Sequence, residues 1–569
     1  MKPWLKNQAL KRFMPVSLAI LLMFTLIITV PQPTASASMN AGYKTFVMAP
    51  LNLPTTTTDW NNFKNQLITL KNNGFAAVTT DVWWGKFEPT NNGFVWNDTN
   101  ANYLKLAQTV QEAGMKWIPI LSFHQCGGNV GDDCNIPLPS WVWSGGTADD
   151  RKFKSEQGNY SNEYLSIWYS GAYTQYEEAM QSFKDNFLTS YGSIIEKIYI
   201  SMGPAGELRY PSYNSHDSGC GYPNRGCWQS FSTPAKNDFI ASMQALTGSN
   251  LATLNTRWGS SLTNWNQVSP PTDGNTFWTG NGVTSQYGKD YLNWYQGELL
   301  AHFDTFMTKA HTKLDAFGVR IGAKVAGVHW KGAEVSGNTM LHSAEQPAGY
   351  YNYDQILQKF KDRNADLTFT CLESQNSTGS PVYSYAKDLV IKVADIAKAK
   401  GVNIFGENAL AFSGDTGKYE QVAEHLFNRN FKGYTHLRMD TFVNSTGGAT
   451  SDMGLIKPRI VLTPKAITFT VSGVPITSGD EVYISGGNCS GCTDSLGWEL
   501  GKWQPVTPYM TQMTSTGTAG QYRVTIQVHN NRNYEFKAVK RSSGGTITWE
   551  SGSNNGVNTS SASAANWTW

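Results

Sequence analysis

Between residues 44 and 440 short apolar runs alternate with longer segments of helical periodicity, and that alternation leaves few architectures open. The apolar runs lie at 45–51, 76–81, 117–123, 194–201, 319–328, 366–370, 402–405 and 433–437. Helical segments separate them, among them 60–73, 102–114, 351–361 and 384–400, the last followed by Gly401, the residue type at which helices commonly stop. Eight strands with helical crossovers predict an α/β chain whose larger part is a (β/α)8 TIM barrel. After about residue 455 the period changes to two, with strands expected at 466–471, 481–485, 522–528, 534–540 and 547–550 between Gly, Ser, Asn and Pro clusters. This predicts a small all-β sandwich at 466–569, joined to a catalytic domain at 38–455 by a connector at 456–465 that contains Pro458 and Pro464.

The first residues read differently from either part. Lys2, Lys6, Lys11 and Arg12 precede an apolar run at 13–30, and Ala35-Ser36-Ala37 supplies small residues for cleavage. That pattern predicts a secretory leader at 1–37 and an extracellular product. An uncleaved anchor is the alternative, opposed by Pro15 and by the cleavage-type residues. An exported chain favours disulfides, and six of the seven cysteines fall into close pairs: Cys126 with Cys134, Cys220 with Cys227, and Cys489 with Cys492. Cys371 is left over, and a lone Cys489-x-x-Cys492 is a weak zinc signal.

Only 15% of the residues are charged and the formal net charge is +2, so no global field exists to hold a nucleic acid. The 20 Trp and 26 Tyr suit neutral polyhydroxylated ligands, whose CH faces stack on rings. Neither H-E-x-x-H nor G-x-x-x-x-G-K is present. Barrel enzymes carry their chemistry at the C-terminal ends of the strands. Polar residues stand there after seven of the eight runs: Asp81, His124, Glu207, Lys324 with His329, Thr370, Glu407 and Arg438. Any one of them could be an ordinary strand-end residue; seven agreeing ends are harder to dismiss. Glu207 and Glu407 each follow a glycine, and breaking an acetal needs one protonated carboxyl and one carboxylate.

The run from His124 to Asp132 (HQCGGNVGD) and the run from Gly206 to Tyr213 (GELRYPSY) resemble the two signature segments of the β-amylases, glycoside hydrolase family 14. The resemblance continues through Asp81 to Gly85, Lys324 to Trp330, Phe369 to Glu373, Gly406 to Leu410 and Leu437-Arg438. It implies exo-acting, inverting hydrolysis of α-1,4-glucans such as starch, amylose, amylopectin and malto-oligosaccharides, with β-maltose released from non-reducing ends. By that likeness Glu207 is the general acid and Glu407 the base. On the same likeness Asp132 would belong to a loop that closes over substrate, Asp81, His124, Lys324 and Arg438 would hold the terminal glucose pair, and Thr370 would be the inner-loop residue that contacts the acid after cleavage. Asn408 and Ala409 would add contacts next to the base, and His329 is a further substrate-binding candidate. Glu207 then needs a desolvated or anionic neighbourhood, and Glu407 a cation, for which Lys324 and Arg438 are both candidates. Departures from the family pattern are Met202, His436 and Met439. The positions aligned with the calcium-binding carboxylates of some relatives are Trp168 and Gly171, so no metal and no other cofactor is expected, and the chain is expected to act as a monomer.

Leu500-Gly501-Lys502-Trp503, Tyr534 to Lys537 and Thr548-Trp549-Glu550 resemble the starch-binding domain of carbohydrate-binding module family 20. That likeness makes Trp503 and Trp549 a stacking platform, with Lys537 and Asn554 as hydrogen-bonding partners. The alternative is that both tryptophans are core residues. An unusual insertion at 488–492 precedes the platform, and no second sugar site is assigned. Two rival readings of the whole chain are a retaining endo-acting glycosidase and a starch-binding protein without activity.

Overall fold

The computed structural model describes residues 42–127, 133–280, 282–332, 341–461, 463–488 and 497–569. The expected leader, Asp132 and the Cys489/Cys492 pair lie outside these residues. Eight parallel strands form the barrel: β1 Lys44–Met48, β2 Ala77–Trp83, β3 Lys116–Ser122, β4 Lys197–Ile200, β5 Arg320–Val325, β6 Asp366–Phe369, β7 Ile404–Glu407 and β8 Gly433–His436. Each pairs with its neighbours in sequence, and β1 closes the circle by pairing with both β2 and β8, with Phe46 opposite Ala77 and Lys44 opposite Gly433.

The outer helices begin and end where local chemistry dictates. Thr56, Asn102, Asn352 and Asp415 turn a side-chain oxygen onto the first free backbone N–H groups of helices Thr57–Asn72, Tyr103–Ala113, Tyr353–Asp362 and Thr416–Asn428. Gly114 (φ 67°) and Gly401 (φ 70°) end Tyr103–Ala113 and Ala386–Lys400 in the left-handed region that glycine enters without strain. In the first helix Trp60, Phe63, Leu67 and Leu70 recur on one face and are buried against the strands.

Several expected strand limits differ: the first strand ends at Met48 rather than 51 and the second runs on to Trp83. The run at 319–328 stops at Val325, because the Ala326 N–H turns to the Tyr350 hydroxyl (3.0 Å) and the Gly327 N–H to Thr370 Oγ1 (2.8 Å). His329 is therefore in the following loop rather than late in β5. The seventh strand runs two residues past the expected 402–405 and includes Glu407, and the fourth starts only at Lys197, after a 3₁₀ turn at Gly192–Ile194.

The end of the barrel that carries the strand starts is closed by charge. Lys197, Arg320 and Asp366 open β4, β5 and β6; Lys197 Nζ donates to Asp366 Oδ2 at 2.8 Å and Arg320 Nε to Oδ1 at 2.7 Å. Gly322 leaves room for this cluster, since a Cβ there would lie 2.6 Å from the Asp366 carbonyl oxygen and 2.8 Å from the Tyr199 ring.

The C-terminal region is a single sheet, β9 Pro464–Ser472, β10 Glu481–Asn488, β11 Thr511–Ser515, β12 Tyr522–His529, β13 Asn533–Arg541, β14 Ile547–Trp549, β15 Asn555–Asn558 and β16 Ala564–Thr568. Its order is β14-β13-β10-β11-β12-β9-β16, with β15 also on β13, and its inner face closes over Ile467, Phe469, Val471, Ile484, Val528 and Phe536. The sheet is docked on the barrel. Lys502 Nζ meets Glu420 at 3.1 Å and the Tyr509 hydroxyl donates to Glu424 Oε1 at 2.8 Å, both on Thr416–Asn428. Arg532 Nη2 donates to the Pro458 carbonyl at 2.6 Å, and Ile460 and Val461 of the connecting segment are buried in the barrel's core.

Asp366→Ala should strand Lys197 and Arg320 in the closed end of the barrel. We expect a loss of about 3–5 kcal/mol in urea unfolding, and a change below about 1 kcal/mol would show that the cluster does not hold the barrel.

Candidate active site

The strand-end residues singled out in the sequence, Asp132 excepted, surround one cavity of about 730 Å³ at the C-terminal end of the barrel. Glu207 reaches it through the turn after β4. Its neighbour Gly206 has φ 79°, and a Cβ there would meet His124 Cε1 at 3.2 Å, so the glycine before this carboxylate lets the chain pass close under the histidine. Glu207 then pairs with Lys324 in an isolated bridge, and the Leu208 N–H donates to the Lys324 carbonyl at 2.8 Å. The Glu207 side chain is mostly buried, and Arg209 Nε donates to Oε2 at 2.8 Å. Arg209 is held in turn by Asn214 Oδ1 at 2.7 Å and the Tyr210 carbonyl at 3.2 Å. Burial raises the pKa of Glu207 above the ordinary carboxylate range, and the Arg209 guanidinium only partly offsets that rise.

Glu407 at the end of β7 has a different partner. Lys324 Nζ lies 2.8 Å from each of its carboxylate oxygens, and both side chains are buried. Of the two candidate cations, the lysine is the one on Glu407; Arg438 instead points Nη1 at the Ala49 carbonyl, at 3.4 Å. Lys324 thus pairs by its backbone with the segment that carries Glu207 and places its ammonium on Glu407.

The segment after Glu407 is fixed from three sides. Asn408 Oδ1 accepts from the Tyr434 hydroxyl at 3.0 Å and the Leu437 N–H at 2.9 Å, while Nδ2 donates to the Leu410 and Leu437 carbonyls at 2.9 and 3.0 Å. All four hydrogen-bonding positions of this amide are spent within the protein, so its side chain shapes the site from behind. The Ala409 N–H donates to the Glu373 carboxyl at 3.0 Å. Burial raises Glu373 as well, against the backbone N–H groups that favour its ionised form.

Asp81 accepts from the Ser122 hydroxyl at 2.8 Å; burial raises its pKa and the nearby Lys324 and Arg438 oppose the rise. His124 bonds Ser201 Oγ through Nδ1 at 2.8 Å and His329 bonds Ser384 Oγ at 2.7 Å. Burial pushes these imidazoles down to about 3 and about 4, so both are neutral near pH 7. Thr370 Oγ1 accepts from the Gly327 N–H at 2.8 Å, which leaves its own proton free to donate.

Several site residues went unread in the sequence. Arg209 sits two residues beyond Glu207 on an extended segment, a spacing that puts both side chains on one side, and Glu373 lay inside a quoted motif. Tyr213 and Trp330, which meet edge to face at 5.1 Å on the cavity wall, each end a family-like run but had no role assigned to them. Of the cysteines, Cys126 with Cys134 and Cys220 with Cys227 lie within bonding distance, with Cα separations of 5.7 and 5.5 Å, and Cys371 is buried and unpaired.

On the C-terminal sheet the Trp503 and Trp549 rings lie 6.2 Å apart at 39°. Both are half-buried and outside the main core of the sheet. Trp549 rests on Tyr483, Met510 and Val539. Lys537 Nζ is engaged by the Glu550 and Gly552 carbonyls at 3.0 and 2.7 Å, and Asn554 Nδ2, at the surface, donates to Glu535 at 2.8 Å.

Residues 46–465 match the model of glycosyl hydrolase family 14, and residues 465–568 match that of the starch binding domain. A thermophilic beta-amylase of Thermoanaerobacterium thermosulfurigenes is 45% identical over 547 residues, covering 94% of this chain and 95% of its own. A beta-amylase of Bacillus cereus is 42% identical over 550 residues, 94% of each chain. The crystal structure of the catalytic domain of beta-amylase from Paenibacillus polymyxa superposes with a TM-score of 0.69 at 46% identity, covering 75% of this chain and 99% of that one. With the barrel, the paired carboxylates and these matches in agreement, the chain belongs to glycosyl hydrolase family 14.

Proposed function

We propose that this protein is a secreted β-amylase, an exo-acting enzyme that removes β-maltose from the non-reducing ends of starch and related α-1,4-glucans with inversion. The observation that carries the reading is the pair of buried carboxylates with unlike neighbourhoods on one cavity. Glu207, raised by burial, is suited to hold a proton, and Glu407 faces an ammonium group at 2.8 Å. In the proposed step Glu207 gives its proton to the glycosidic oxygen as the C1–O bond breaks. Glu407 takes a proton from a water that bonds to C1 from the opposite face of the ring, which inverts the anomeric centre. Lys324 balances the charge of Glu407 before that transfer. Neutral His124 and His329, with Asp81 and Arg438, supply donors and acceptors for sugar hydroxyls without adding net positive charge from the imidazoles.

The division at 38–455 and 466–569, the leader at 1–37 with export, action as a monomer and the two local disulfides belong to the same proposal. The leader rests on its basic residues, apolar run and small-residue site. Asp132 is assigned to the closing loop on the sequence resemblance alone. Trp503 and Trp549 are proposed to stack on a glucan and so raise the local concentration of chain ends around the barrel.

Glu207→Gln and Glu407→Gln should each lower maltopentaose hydrolysis by roughly 10²–10⁴-fold. α-Maltosyl fluoride, whose leaving group needs no proton, separates the two roles: the Glu207 variant should recover activity on it and the Glu407 variant should not. Recovery by the Glu407 variant would end the assignment of base. In proton NMR of the wild-type digest, β-maltose should appear before mutarotation; an initial α-anomer would make the enzyme retaining.

A second expectation concerns pH. A proton donor must be protonated to work, so kcat/KM should fall as pH rises through the elevated pKa of Glu207. With Glu207→Gln acting on the fluoride this alkaline limb should vanish, and its survival would assign it to another group.

Replacing Trp503 and Trp549 together by Ala should weaken adsorption to raw starch by roughly tenfold or more and leave kcat/KM on maltopentaose unchanged. Unaltered adsorption would remove the platform from the proposal.

A further inference from the structure

We propose that Tyr222 is an outer sugar-binding ring of the cavity, a specificity-determining residue that favours long glucan chains over short ones. The proposal rests on the α-glucan reading above. Among the described residues five large apolar side chains stand well exposed, and Tyr222, at 56%, is the most exposed of them. It also lines the catalytic cavity. A single exposed aromatic ring is common and needs no explanation. This one differs because the chain around it is pinned on every side.

Cys220 and Cys227 bracket the loop within bonding distance. The Asn224 N–H closes a turn onto the Gly221 carbonyl at 2.9 Å, and the Asn224 carbonyl accepts from Trp330 Nε1 at 2.8 Å. Farther along, the Gly226 N–H donates to the Ser343 carbonyl at 2.9 Å and the Cys227 N–H to the Ser212 carbonyl at 2.7 Å. Arg225 ties the loop to Asn275 and Glu156. A ring carried on such a loop has already lost much of the freedom it would otherwise lose on binding.

The ring is also the last of a row that begins at Glu207. Arg209 donates to Glu207 and lies over the Tyr213 ring at 4.2 Å. Tyr213 meets Trp330 edge to face at 5.1 Å, and Trp330 meets Tyr222 in the same way at 5.5 Å. Trp330 is itself buried and Tyr213 partly so, which makes Tyr222 the member of the row that offers most area to a ligand. The row stands on the loops after β4 and β5, whereas Asp81 and Arg438, to which the family likeness gives the terminal sugar pair, lie late in β2 and just after β8 across the mouth. A chain whose end is held by Asp81 and Arg438 and whose scissile oxygen is at Glu207 therefore continues over this row. The ligand chemistry at Tyr222 is the apolar CH face of a glucose unit on the leaving side of the broken bond. Chains too short to reach that unit gain nothing from the ring.

The test compares Tyr222→Phe, Tyr222→Leu and Tyr222→Ala in the full-length protein on maltotriose and maltoheptaose. Losing the stacked ring should raise KM for maltoheptaose roughly three- to tenfold in the Leu and Ala variants. KM for maltotriose should stay within about twofold, kcat should hold for both substrates, and the Phe variant should resemble wild type. Leu still covers Trp330, so an unchanged melting temperature in that variant separates contact with sugar from support of the wall. Equal losses on both substrates, or a Leu variant indistinguishable from wild type, would overturn the proposal. Failure of the underlying reading is visible separately, as wild-type protein that releases no β-maltose from either substrate.

Discussion

Lys324 is the residue on which the two halves of the site depend. Its carbonyl receives the Leu208 N–H and its backbone lies beside Glu207, while its ammonium sits 2.8 Å from both oxygens of Glu407. A charged lysine so deeply buried is tolerable only with a well-placed counter-charge, and removing either member of such a pair typically costs about 3–5 kcal/mol. The same constraint orients the chemistry. Backbone and side chain of this one residue of β5 therefore bear on both segments that carry the carboxylates, while Arg209 fixes the Glu207 carboxyl itself. Around it, Arg209 lies beside Glu207 and Arg438 near Asp81, so charges of both signs line the cavity.

The two ends of the barrel use buried charge for different ends. At the strand starts, Lys197 and Arg320 both pair with Asp366, which ties β4, β5 and β6 together. At the strand ends, Glu207, Asp81 and the two neutral histidines each keep at least part of their hydrogen-bonding capacity toward the cavity. Asn408 marks the boundary between these uses, since it lines the site but has every polar position occupied by protein.

How much of this was legible in the sequence follows from which forces act locally. The barrel was readable because each strand and helix carries its own hydrophobic period, and helix limits followed from caps such as Asn102 and Gly401. Strand ends were less so: the run at 319–328 continues apolar past Val325, and only contacts with Tyr350 and Thr370, distant in sequence, end the strand there. Thr511–Ser515, Asn555–Asn558 and Ala564–Thr568 escaped notice because their polar and small residues show little alternation, and each is held by pairing with a neighbour. Glu207 and Glu407 stood out through flanking glycines and family likeness. The choice between Lys324 and Arg438 as partner of Glu407, the spent amide of Asn408 and the aromatic row ending at Tyr222 depend on the order in which the barrel closes, which no short segment encodes.

The docking of the C-terminal sheet carries a consequence for motion on a solid substrate. Lys502 and Tyr509, which grip the helix after β7, lie in the same loop as Trp503, and the helix itself follows the strand that ends in Glu407. Were the protein seated on starch through Trp503 and Trp549 as proposed, these contacts would restrain how far the barrel mouth could swing from the surface. Chain ends beyond that restrained reach would then become available only after the sheet let go and landed again.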